Sequence, residues 1–196
     1  MKNPITLLIV SLLFTLISCE KDPPDHFQDN LAGDMVINND VRTLNKRIIF
    51  QNNSTAYTLY DPVADEKGNP ASSINIQVIA TLESPGYKEE ILQASHIRIS
   101  DDYAYIGYNT QGPRYLGGID IVDINPATDP KLISNVVFID PETNTGKDVS
   151  SIDIEPKGTG SSNYIWIAGA EESNELLESP ALVERFALNS SNQFET

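Results

Sequence analysis

Tyr103-Ala-Tyr-Ile-Gly-Tyr108 and Ile119-Asp-Ile-Val-Asp-Ile124 decide the fold of this chain. Before the first run stands His96-Ile-Arg-Ile-Ser100, with Asp101-Asp102 as a two-residue turn between them. After the second come the turn Asn125-Pro-Ala-Thr-Asp-Pro130 and the run Lys131-Leu-Ile-Ser-Asn-Val-Val-Phe138. Short runs rich in β-branched and aromatic residues, separated by Asn, Asp, Gly and Pro, predict four consecutive strands. In Tyr103–Tyr108 both alternating faces are apolar, which suits a sheet covered on both sides.

Working outward, the same order of runs recurs. Ser151-Ile-Asp-Ile154 matches the first, Tyr164-Ile-Trp-Ile-Ala168 the second and Leu182-Val-Glu-Arg-Phe-Ala-Leu188 the third. Asn189-Ser-Ser-Asn192 is then the turn, and Phe194 begins the fourth. Upstream, Ala56-Tyr-Thr-Leu-Tyr-Asp61 reads as a third run and Ile74-Asn-Ile-Gln-Val-Ile-Ala-Thr-Leu82 as a fourth. Asp61 to Asp123 is an offset of 62 positions and Tyr105 to Trp166 one of 61, the mark of a repeat architecture. A radial stack of four-stranded sheets covers each sheet on both faces; a two-sheet sandwich predicts one polar face per strand. The expected fold is therefore all-β, an incomplete β-propeller.

Tyr103-Ala-Tyr-Ile-Gly107, Gly118-Ile-Asp-Ile-Val-Asp-Ile124 and Asp129-Pro-Lys-Leu-Ile-Ser134 together resemble the LVIVD repeat of bacterial β-propellers. The match is good over residues 96–138, partial over 150–188 and faint before 90, with Val183-Glu-Arg-Phe186 departing most from the pattern. The resemblance implies blades at about 42–82, 90–139 and 149–196, roughly 2.5 four-stranded blades where a ring needs about 4 to 8. The chain is thus expected to be a fragment of a longer protein; a small open β-sheet domain is the alternative.

The amino terminus carries a second resemblance. Lys2 is followed by an apolar stretch from Ile5 to Ile17, the pattern of a secretory signal, and Leu16-Ile-Ser-Cys19 resembles a bacterial lipobox. That resemblance implies cleavage of residues 1–18 and lipidation of Cys19, the only cysteine. Residues 19–41 then form a flexible tether, since the charges and prolines of Glu20-Lys-Asp-Pro-Pro-Asp25 cannot pack as helix or central strand. This start also resembles the export signals of Bacteroidetes surface lipoproteins. It implies a lipid anchor in the bacterial outer membrane with the body, residues 42–196, exposed at the surface.

Charge narrows the partners. The chain has 28 Asp and Glu against 13 Lys and Arg; without the signal the balance is 12 − 28 = −16. Such a field repels phosphate backbones, so nucleic acid is not an expected partner. With no other cysteine there is no internal disulfide and no cysteine zinc site. No Gly-x-Ser-x-Gly elbow and no cofactor motif is present, so no cofactor is expected.

Candidate binding residues sit in loops between second and third runs. They are Asn109, Arg114 and Tyr115 in one loop and Glu171 and Glu172 in the other. An Arg fork and an aromatic ring are common anchors of a binding surface. Asp140, Glu142, Asn144 and Asp148 form a weak calcium candidate: their oxygens alternate, but Thr145 stands where an EF-hand turn needs glycine. His96 is read as a hydrogen-bonded structural histidine, with ligand orientation as the alternative. The expected function is a lipid-anchored, non-catalytic module that binds or assembles with a protein or glycan. The alternative is a propeller enzyme, carbohydrate-active or another hydrolase, whose catalytic residues lie in blades beyond this chain.

Overall fold

The computed structural model describes residues 35–51, 56–60, 73–110, 114–155, 163–171 and 181–195. Cys19, most of the tether and Glu172 lie outside them. In chain order the elements are β1 (Val36–Asn38), α1 (Val41–Leu44), a 3-10 turn (Asn45–Arg47), β2 (Ile48–Phe50), β3 (Ala56–Tyr60), β4 (Ser73–Gln77) and β5 (Ala80–Leu82). Then follow β6 (Gly86–Tyr87), β7 (Glu90–Ile91), β8 (Gln93–Ser100), β9 (Tyr103–Asn109), β10 (Gly117–Asp123), β11 (Lys131–Phe138), β12 (Lys147–Glu155), β13 (Tyr164–Glu171) and β14 (Ala181–Ala187). Among the described residues every element is a strand apart from α1 and the 3-10 turn, so the fold is all-β.

The four runs around Tyr103 and Ile119 form an antiparallel meander, β8-β9-β10-β11, as their short turn connections favour. Asp101-Asp102 makes the β8–β9 hairpin, with Asp101 in the left-handed region at φ 51°, which short polar residues tolerate. β1 adds as a fifth strand, antiparallel to β11 on the side away from β10. The next repeat forms a second antiparallel sheet, β12-β13-β14. Its fourth run is present as a single bridge, Leu188 to Phe194.

Both faces of the central sheet are covered. On one face Phe138 meets Phe186 of β14, ring centroids 5.1 Å apart, and Phe186 meets Phe194 edge-on at 6.5 Å. Ile119, Ile121 and Val136 of the central sheet and Ile152, Ile165 and Ile167 of the second sheet are buried. On the other face Leu44, Ala104, Val122 and Leu132 cluster with Ile48 and Leu82, while Leu92, Tyr108, Leu116, Val137 and Ile139 form a further cluster. The amino-terminal strap from β1 to β2 supplies part of that second cover.

Two sequence expectations meet a different arrangement here. The run Ile74–Leu82 is divided: β4 pairs with β3, whereas β5 pairs with β2. The described residues between 42 and 82 consequently form two-stranded pairs and a helical turn, with no four-stranded sheet among them. α1 and the 3-10 turn occupy the chain before β2, and Asp40 caps the helix by accepting from Arg42 N–H.

Candidate functional site

The segment leading into β10 and the start of β12 are locked together. Asp148 accepts a hydrogen bond from Leu116 N–H at 3.0 Å, and Thr110 Oγ1 donates to the Arg114 carbonyl at 2.5 Å. Gly117 and Gly146 permit this contact: a Cβ on Gly117 would lie 2.6 Å from the Lys147 carbonyl, and one on Gly146 would lie 2.4 Å from the Tyr115 carbonyl. Lys147 pairs in register with Glu171 at the end of β13. Asn109, Arg114, Tyr115, Asp148 and Glu171 therefore come to one rim, where strands of both sheets end.

Several of these side chains are committed within the rim. The Arg114 guanidinium pairs with Glu90 of β7, and its Nη2 is buried without a hydrogen-bond partner among the described residues. Sequence reasoning expected a fork open to a partner; the arginine instead joins β7 to the loop. Tyr115 is half-buried. Glu171 and Glu184 flank the Lys147 ammonium at 3.8 and 2.9 Å. Burial holds the Asp148 carboxyl above its usual range despite the N–H it accepts.

The calcium candidates are not gathered. Asp140 folds over its own turn, accepting from Glu142 N–H at 2.7 Å and Thr143 Oγ1 at 2.6 Å, and those bonds hold its pKa below the usual value. Asn144, at φ 61°, accepts from Lys88 Nζ at 2.9 Å. Asp148 turns to Leu116 instead. Among the described residues no group of three His, Cys, Asp or Glu side chains is arranged for a metal ion.

His96 reaches across to the second sheet. Its Nδ1 accepts from Ile152 N–H at 3.0 Å, so the ring is the tautomer protonated on Nε2. Beside it Ser95 Oγ donates to the Val149 carbonyl at 2.5 Å. An open groove of about 390 Å³ runs past β8 and β9, lined by apolar Leu82, Ile97 and Ile106 and by the polar side chains of Ser84, Ser95, His96 and Tyr108.

The structure adds a polar centre that sequence reasoning did not single out. Asp120, fully buried in the middle of β10, receives both prongs of Arg47, Nη1 to Oδ1 at 3.0 Å and Nη2 to Oδ2 at 2.5 Å. Asn135 Nδ2 donates to the same Oδ1 at 2.8 Å, and Arg47 also holds the Glu83 carbonyl. Burial, then the Asp120 charge, drives the Tyr108 hydroxyl far above its ordinary pKa. An aspartate inside an otherwise apolar strand was the available signal. On β13, Trp166 Nε1 donates to Glu155 at 2.9 Å, and Arg185 lies 4.3 Å over the Tyr164 ring and 5.5 Å over Trp166.

No family model, no curated protein and no solved structure matches the chain.

Proposed function

We propose that this chain is a lipid-anchored protein of the bacterial cell surface, held by Cys19, whose body is part of a β-propeller and serves as a non-catalytic module for a protein or glycan partner. The observation that carries the reading is the shared rim: the Asp148–Leu116 bond fixes the chain at Arg114–Leu116 against β12, beside Glu171. Loops immobilised by a rigid scaffold are where binding residues concentrate. The double cover of the central sheet supports the radial stacking of a propeller, with residues 90–139 as the most complete blade. The net charge of −15 disfavours nucleic acid as the partner.

The rim is tested by screening the full chain against arrayed glycans and a panel of glycoside and ester substrates. Binding without turnover is expected, weakened by about 1 kcal/mol or more in Tyr115→Ala with an unchanged melting transition. Turnover of any substrate, or full binding by Tyr115→Ala, overturns the reading. The anchor is tested separately by fatty-acid labelling in cells: Cys19→Ser abolishes the label if the lipobox reading holds, and undiminished label refutes it.

A further inference from the structure

β11 carries an unguarded stretch of sequence. Leu132-Ile-Ser-Asn-Val-Val-Phe-Ile139 holds no charge and no proline, and five of its eight residues are β-branched or aromatic. Such a window on an exposed sheet edge is a template for pairing with another chain. Its side away from β10 is occupied piecemeal. β1 pairs with Asn135, Val136 and Val137. The Asn45 side chain imitates a strand at Leu132, accepting from its N–H at 3.0 Å and donating to its carbonyl at 3.4 Å. Gln193 Nε2 donates to the Ile133 carbonyl at 2.8 Å.

A closed ring of hydrogen bonds pins the middle of this cover. Ser134 Oγ donates to Asn39 Oδ1 at 2.6 Å, Asn39 Nδ2 donates to the Phe194 carbonyl at 3.0 Å, and Phe194 N–H donates back to Ser134 Oγ at 3.2 Å. The outer part of the cover is nevertheless thin, while Leu44 at its inner end is buried. β1 is three residues long, and Val36 is 40 % exposed. Elements with little buried area open at low cost. Arg47, at the far end of the strap, is tied down by Asp120.

We propose that β1 with Asn39, together with the Asn45 side chain, is an edge guard, and that its release turns β11 into a pairing site for β11 of a second copy of this chain. Antiparallel self-pairing centred on Asn135 sets Asn135 against its own copy, Ile133 against Val137 and Lys131 against Ile139, so that opposite residues share a face. No like charges then face each other, as cross-strand stability requires. The guard holds the chain single; the Arg47–Asp120 pair keeps the strap attached when its outer half opens.

The test uses the full chain in detergent, given the apolar stretch at residues 5–17. Mass is read by sedimentation, β11 amide exchange by mass spectrometry and folding by thermal melting. The wild type is expected at one-chain mass. Asn39→Ala with Asn45→Ala, and separately Ile37→Pro, are expected at two-chain mass with a retained transition and slowed exchange over residues 132–138. Adding Ile133→Lys, a charge on the pairing edge, returns both to one chain. One-chain mass in both guard variants overturns the proposal, as does association that survives Ile133→Lys or leaves β11 exchange unchanged. If the double alanine variant loses its transition, Ile37→Pro decides, since it leaves both asparagines in place. Loss of the transition in both makes the strap part of the folding core and also overturns it.

Discussion

Arg47 and Asp120, 73 positions apart, meet as a two-pronged ion pair with Asp120 fully buried. A buried carboxylate is tolerable only when its charge is matched and its oxygens are bonded, and here Arg47 and Asn135 do both. Removing one partner leaves an uncompensated charge in the interior. Arg47→Ala is therefore expected to cost about 3–5 kcal/mol of stability in denaturant unfolding. Adding Asp120→Asn should recover part of that loss, because the charge disappears while an acceptor for Asn135 remains. Equal stability of Arg47→Ala and wild type would remove this pair from the account of the fold.

His96 offers a sharper test of how the two sheets are joined. Ile152 is buried, and the imidazole is the acceptor for its N–H. His96→Ala strands that donor and is expected to lower stability by about 1–3 kcal/mol. His96→Gln, with a side-chain oxygen in reach of the same N–H, should lose less. If the two variants melt together, the bond contributes nothing and the ring acts through packing.

Glycine substitutions probe the closeness of strand contact. A Cβ on Gly107 would meet side-chain methyls, Val149 Cγ1 at 3.1 Å and Ile152 Cγ2 at 3.3 Å, which can shift. A Cβ on Gly169 would sit 1.8 Å from the Asp148 carbonyl oxygen, fixed backbone beside the β12 bulge. Gly107→Ala is expected to fold with a loss of about 1–3 kcal/mol. Gly169→Ala should be the more damaging of the two by thermal melting. The reverse order would contradict the register of β12 on β13.

Asp148 gives a pH dependence with a defined sign. Burial raises its folded-state pKa above 3.8, so the folded chain holds this proton more tightly than the unfolded one. Its contribution favours folding as pH falls through the raised value, and is lost as pH rises above it. Asp148→Asn keeps an acceptor for Leu116 N–H without the charge. The variant is expected to be more stable than wild type near neutrality, with the difference closing as pH falls toward 3.8. A difference that widens on acidification would refute the assignment.

The β8–β11 meander was legible in residues 96–138, because runs rich in β-branched and aromatic residues and the turn residues between them are local signals that mark strand and hairpin together. The apolar character of both faces of Tyr103–Tyr108 likewise foretold cover on each side. The strap was not legible: β1 is three residues long, and its seat on β11 depends on Asn39 and Asn45 meeting groups about 90 or more positions away. The division of Ile74–Leu82 between two partners was hidden for the same reason, since a run's pattern says that it pairs but not with what. For the rim, sequence placed Asn109, Arg114, Tyr115 and Glu171 in loops, while the tertiary fold decided that Arg114 pairs with Glu90 and that Asp148 holds the Leu116 N–H. Local chemistry is written in neighbouring residues; the destination of a charge or an orphan N–H is set only when distant strands come within 3 Å of it.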